Sequence, residues 1–148
     1  MTETEYPDAR RRADRRDFDE FPLHKMLGIT LDEVRPGFAR IVMRTGNLTL
    51  GGVGGSVHGG LLSAMVDMAT LEALFPMFGP TDRPSGTADL NITYLRPALG
   101  ERITAEATVL RKGRQLAVAE VEVFAGDGRL CAKGRAIYSL RQAPAGGE

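Results

Sequence analysis

The sequence predicts an α+β fold in which a six-stranded antiparallel sheet wraps around one long central helix. Three observations carry this reading. The run from Leu61 to Phe78, LLSAMVDMATLEALFPMF, is apolar on nearly every face, so a helix built from it needs cover all round. Two strand patterns precede it and four follow. Tight turns join the later strands, which pairs neighbours as antiparallel hairpins.

Residues 1–17 are polar and charge-dense, with Arg10, Arg11, Arg12, Arg15 and Arg16 among acids, and are expected to form a flexible arm. Phe18 to Leu27 spaces Phe21, Leu23, Met26 and Leu27 as one short helix, which Gly28 ends. Strands Ile29–Val34 and Phe38–Arg44 flank the turn tripeptide Arg35-Pro36-Gly37. Asn47 to Val57 is a loop holding Gly51, Gly52, Gly54 and Gly55, bare enough for close approach to its backbone.

The long helix is expected over 59–78, ending near Gly79-Pro80. A loop, Thr81 to Ser85, leads to a strand over Gly86–Leu95 that alternates Ala88, Leu90, Ile92 and Tyr94 against Asp89, Asn91 and Thr93. Three more strands are expected at Arg102–Leu110, Gln115–Phe124 and Arg129–Leu140. Their turns are Lys112-Gly113 and Gly126-Asp127-Gly128. No repeat or linker divides the chain, so 18–140 reads as a single domain, and 141–148 as a disordered tail.

A chain of 148 residues with 43% hydrophobic and 26% charged residues can bury one real core. Lys+Arg 19 balances Asp+Glu 19, so net charge favours neither nucleic acid nor an acidic membrane as partner. The single cysteine, Cys131, excludes an internal disulfide and a multi-cysteine metal site; its strand pattern makes it a small core residue, and no metal is expected. Asp67 and Glu72 inside the apolar run, with Pro76 near its end, argue against a membrane span. The N-terminus has no charged-then-apolar leader, so a cytoplasmic setting is expected.

Chemistry concentrates between His58-Gly59-Gly60 and Asp67. An ionised Asp in an apolar helix loses several kcal/mol of solvation unless it is compensated. The glycines opening the helix leave backbone N–H groups aimed outward, an arrangement that binds negative charge. Ser63 and Thr70 fall on the Asp67 face and form a narrow polar stripe. Gly59 and Asp67 are eight positions apart. That is about 12 Å along a helix at roughly 1.5 Å per residue. One carbonyl cannot touch both on one helix, but it can if a second copy of the helix lies antiparallel beside the first. A homodimer with shared sites is therefore expected.

Val57-His58-Gly59-Gly60 opening the helix, Asn91-Ile92-Thr93-Tyr94-Leu95-Arg96-Pro97 ending the third strand, and Lys112-Gly113-Arg114 at the next hairpin carry a resemblance. Over about residues 20–140 the chain resembles the hotdog-fold acyl-CoA thioesterases, nearest in pattern to the phenylacetyl-CoA and 4-hydroxybenzoyl-CoA thioesterase type. The resemblance implies Asp67 as acidic catalyst, the Gly59 N–H as the donor polarising the thioester carbonyl, and Thr87 as a helper holding the attacking water. It implies an acyl-CoA substrate, no cofactor, and dimers that often pair into tetramers. One departure is clear: the family often carries Asn or Gln six positions before the motif His, where this chain has Gly52. Asn47 is the only amide in the loop that could replace it.

Other candidates are secondary. His58 precedes the helix, so its ring is expected to support the loop with Gly60 rather than act as base. Arg111, Lys112 and Arg114 cluster at a hairpin and suit CoA phosphates, with Arg96 a fourth cation for the same patch. Met65, Met68, Leu71 and Phe75 are expected to wall an acyl pocket near the Asp67 face, bulky enough to favour a medium or aromatic acyl group. The expected reaction is hydrolysis of that thioester to free acid and CoA. Two rivals are a hotdog hydratase or dehydratase using His58 with Asp67, and a non-catalytic acyl-CoA-binding module.

Overall fold

The computed structural model describes residues 15–144; the rest of the expected arm (1–14) and of the expected tail (145–148) lies outside them. Where one short helix is expected there are two, α1 (Arg15–Glu20) and α2 (Pro22–Leu27). Phe21 between them is extended, with φ −62° and ψ 128°. The cause is Pro22, which pushes the preceding residue out of helical geometry and starts a new helix itself. Gly28 then ends α2 in the left-handed region at φ 70°.

The strands are β1 (Ile29–Arg35), β2 (Phe38–Arg44), β3 (Asp82–Tyr94), β4 (Arg102–Lys112), β5 (Leu116–Phe124) and β6 (Leu130–Gln142). Between β2 and β3 lies the central helix α3 (Gly59–Leu74), continued by a 3-10 turn at Phe75–Met77. All neighbours pair antiparallel in the order β1-β2-β4-β5-β6-β3. β3 and β6 are longer than their sequence patterns suggest, because their ladder runs on from Pro84 to the pair Asp82↔Gln142. Pro84 marks a loop in sequence but is tolerated here because β3 is an edge strand.

The sheet curls over α3. Leu62, Met65, Val66 and Ala69 on one helix face pack into a core with Ile41, Met43, Ile103, Val121 and Val123. Burying each large side chain contributes about 1.5–3 kcal/mol. β6 approaches the helix so closely that a Cβ on Gly134 would stand 2.8 Å from both Val66 methyls. A second cluster around Phe75, Phe78, Tyr138 and Leu140 closes the far end. The stretch Gly59–Met77 has the length and hydropathy of a membrane span, and half of it is buried inside this fold, as a core helix is.

The two sheet edges differ. β1 is covered by α1 and α2, and its Leu31 N–H donates to the Asp19 carboxylate at 2.8 Å. β3, 13 residues long, has no strand beyond it among the described residues. Beside that open edge the helix also shows a stripe left uncovered by the sheet: Gly60, Ser63, Ala64, Asp67, Met68 and Leu71. One sheet covers most of α3 but not this stripe, which follows the helical repeat.

Candidate active site

The loop before α3 is tied down by its backbone. The His58 N–H donates to Thr49 O at 2.9 Å, and the Val57 N–H donates to Ala98 O at 3.0 Å. His58 is then the N-cap: its ring Nδ1 accepts the Gly60 N–H at 3.0 Å, and its carbonyl accepts the Leu61 N–H at 2.9 Å. Of the first three helix amides, only that of Gly59 makes no hydrogen bond among the described residues. It sits at the positive end of the helix and on a cleft of about 380 Å³. Ser56, Leu62, Tyr94 and Arg96 line this cleft with Gly59. A site able to receive one carbonyl oxygen is the result.

Asp67 is placed differently from expectation. The sequence suggests a carboxylate stranded in apolar surroundings, yet in the single chain Asp67 is exposed on the uncovered stripe. Its partner is Thr87, whose Oγ1 donates to Asp67 Oδ1 at 2.5 Å. Two irregularities of β3 bracket Thr87, at Pro84/Gly86 and Thr87/Asp89. The first holds Gly86 at φ +116°, a conformation open to glycine. The second inserts Ala88 as an extra residue, so that Thr87, paired with buried Tyr138, faces the helix with Leu90 and Tyr94.

The glycine at position 52 has a steric cause. A Cβ there would lie 2.3 Å from Ser56 Oγ and 2.8 Å from Val57 O, so no amide side chain fits without remaking the loop. Asn47 is exposed in the turn before Thr49 and does not line the Gly59 cleft. Ser56 does line it: the residue is buried, and its hydroxyl makes no hydrogen bond within the described residues.

The four cations expected to form one patch are dispersed. Lys112 pairs with Ala117 and faces inward, where its Nζ meets Asp82 Oδ2 at 2.7 Å. Asp82 also accepts the Gln142 Nε2–H and the Gly79 N–H. Burial opposes its charge, but bonds from Lys112, Gln142 and Gly79 outweigh that and hold its carboxyl below the usual range. Lys112 is thus consumed by the fold. Arg111, adjacent on the strand, faces the opposite way and is exposed. Arg114 lines a groove with Gln115, Ser139 and Arg141. Arg96 lies at the other end of the sheet, on the Gly59 cleft, with its guanidinium donating to Leu130 O at 2.9 Å.

The expected acyl wall also divides. Met65 and Phe75 are sealed in the two core clusters at 0% and 2% exposure, because both point at the sheet. Met68 and Leu71 remain partly exposed beside Asp67. Burial pushes the Cys131 thiol up, and its Sγ–H donates to Val123 O, so it is a core residue without nucleophilic character. Sequence reading missed Ser56, Tyr94 and Arg141 as site candidates. Tyr94 alone left a signal, an aromatic at the end of the strand that also carries Thr87.

A curled antiparallel sheet around one long helix, in this strand order, defines the hotdog class of folds. Residues 54–132 match the family model of the thioesterase superfamily. The chain is 32% identical over 132 residues to the medium/long-chain acyl-CoA thioesterase YigI of Escherichia coli (strain K12), covering 80% of this chain and 85% of that protein. A thioesterase family protein from Silicibacter pomeroyi superposes with TM-score 0.79 at 27% identity, covering 93% of this chain and 99% of that one. The phenylacetic acid degradation protein PaaI from Thermus thermophilus gives TM-score 0.69 at 27% identity, covering 80% and 98%. The chain belongs to the thioesterase superfamily.

Proposed function

We propose that the protein hydrolyses an acyl-CoA thioester to free acid and CoA at a site built from two subunits. The observation that carries this reading is the Gly59 N–H at the start of α3, which has no hydrogen-bond partner among the described residues and faces a cleft. The thioester carbonyl oxygen docks there. As the carbon becomes tetrahedral its oxygen gains negative charge, and a fixed donor at a helix N-terminus contributes about 3 kcal/mol to that state.

Asp67 supplies the other half. Either it takes a proton from water as the water oxygen bonds to the carbonyl carbon, or its carboxylate attacks that carbon directly and water later cleaves the anhydride. The C–S bond breaks in both routes, and CoA leaves as a thiolate that picks up a proton. The Thr87 hydroxyl holds the carboxylate at the correct angle. Asp67 is eight residues from Gly59, so it acts on a carbonyl held by the other subunit. A two-fold axis near Ser63, with α3 helices antiparallel and β3 edges paired, sets each Gly59 opposite the partner's Asp67 and covers both the open edge and the open stripe. Pairing of dimers into tetramers is compatible with this arrangement.

Met68 and Leu71 beside Asp67 support a medium or aromatic acyl group, and the similarity to YigI, a medium/long-chain acyl-CoA thioesterase by name, agrees with the medium range. Arg96 and Arg114 are assigned to CoA phosphates. A hydratase is disfavoured because His58 Nδ1 is occupied by the Gly60 N–H rather than free to act as base. The test is thiol release across acyl-CoAs of graded length with benzoyl and phenylacetyl esters. Release of CoA, greatest for medium or aromatic esters, is expected. Binding without thiol release would identify a carrier, and a maximum at palmitoyl-CoA would refute the acyl preference.

A further inference from the structure

We infer that Tyr94, anchored by Ser63, is the positioning residue that fixes the Gly59 amide; this rests on the reading that the amide receives the carbonyl. Tyr94 ends β3 with 51% of its surface exposed, so core packing does not account for its placement. Both hydrogen bonds of its side chain go to the start of α3. Its hydroxyl donates to Gly59 O at 2.8 Å and shares a second bond with Ser63 Oγ at 2.9 Å. Because the tyrosine proton goes to Gly59, the shared bond runs from the Ser63 hydroxyl to the tyrosine oxygen. The ring lies against the same residue: a Cβ on Gly59 would meet Cε1 and Cζ at 3.2 Å.

These contacts answer a mechanical problem. Gly59 is the first residue of the helix, where helices fray, and it has no side chain to restrict it. A donor that swings at that point loses much of its value to a developing oxyanion, which depends on fixed geometry. His58 holds the peptide after Gly59 through the Gly60 N–H. Tyr94 holds the Gly59 carbonyl, and its ring blocks the residue from one side. Ser63, one turn along, orients the tyrosine hydroxyl. β3 thus grips Asp67 through Thr87 and Gly59 through Tyr94.

Tyr94→Phe removes the hydroxyl and keeps the ring. Its expected effect is a kcat about tenfold lower with the KM for acyl-CoA nearly unchanged, the signature of a contact that matters only in the transition state. Ser63→Ala should lower kcat less, and the double variant should be no worse than Tyr94→Phe, since Ser63 acts through Tyr94. A trifluoromethyl-ketone analogue of the acyl-CoA, which hydrates to a tetrahedral mimic, should bind Tyr94→Phe about tenfold more weakly, while CoA itself binds equally. A merely structural tyrosine would not separate those two ligands. Wild-type kcat in Tyr94→Phe, or equal weakening toward both ligands, would overturn the inference. Asp67→Asn, assayed alongside, separates the failures: an inactive wild type sinks the thioesterase reading, whereas an active wild type, an inactive Asp67→Asn and a fully active Tyr94→Phe sink only this one.

Discussion

Thr87 donates its hydroxyl to Asp67 at 2.5 Å from a strand position whose simple alternation would turn it away from the helix. Thr87 and Tyr94 are seven residues apart, an odd spacing that places side chains on opposite faces of a regular strand. The bulge at Ala88 corrects the parity, and both then face α3. The extra residue re-aims the Thr87 hydroxyl toward the Asp67 carboxylate.

Asp67→Asn should therefore leave the fold intact and lower kcat by about 10²-fold or more, as loss of a general base or nucleophile does. Thr87→Val keeps the shape and removes the donor, so its loss should be smaller, about tenfold, and should fall on kcat. Steady-state kinetics with one acyl-CoA measures both. Full activity in Asp67→Asn would refute its catalytic role.

The order of elements along the chain was legible in the sequence because hairpin turns and an apolar helix run are strong local signals. The pairings of β2 with β4 and of β3 with β6 were not, since they join segments distant in sequence that no turn links. Gly59 and Asp67 stand out as candidates because a glycine pair before a helix and a charge inside an apolar run both violate the local rule. Thr87's aim was not legible, since it depends on a bulge that alternation cannot report. Nor was the fate of Lys112: its neighbours Arg111 and Arg114 suggest one basic patch, but strand alternation turns Lys112 inward to Asp82. Met65 and Phe75 were misplaced for a related reason. A helix apolar on all faces does not reveal from its sequence which face meets the sheet.

Shared sites can be tested by mixing two inactive proteins. Gly59→Pro deletes the amide donor at a first-turn position where proline suits a helix, and His58 before it is already extended; its Cβ also displaces the Tyr94 ring of the same chain, damage confined to the site that has already lost its donor. Asp67→Asn deletes the acid. If each site takes Gly59 from one subunit and Asp67 from its partner, a mixed dimer carries one doubly damaged site and one intact site. Random exchange should then restore about a quarter of wild-type activity. No recovery after verified subunit exchange would place both groups of one site in the same chain.

The Asp82–Lys112 pair should act on stability in a defined pH window. The bonds to Asp82 hold its carboxyl below the value it has in the unfolded chain, so the charged form is favoured by folding. Its contribution is complete above about pH 4, the ordinary carboxylate value, and is lost as pH falls through the lower folded value. Lys112→Met should destabilise the protein by about 2–3 kcal/mol at neutral pH. Urea unfolding at a series of pH values measures this, and the gap between wild type and variant should close on acidification. A gap that is independent of pH would show that the pair's charge is not what stabilises this corner.

Removing single charges should separate the cations that meet substrate from the one that holds the fold. Arg96 shares the cleft with the free Gly59 amide, and Arg114 lines an open groove with Arg141. The CoA phosphates keep their charge through the reaction, so cations that hold them bind ground and transition states alike and enter KM rather than kcat. Arg96→Gln and Arg114→Gln should each raise the KM for acyl-CoA about three- to tenfold, leave kcat within about twofold, and flatten the dependence of kcat/KM on salt. Arg111→Gln, on the outer face and away from both the cleft and the groove, should do less. Lys112→Met should change the melting temperature far more than KM, because its ammonium is already bound to Asp82. If Arg96→Gln and Arg114→Gln captured acyl-CoA as well as wild type at low salt, the phosphates would be held elsewhere and both arginines would be ordinary solvated side chains.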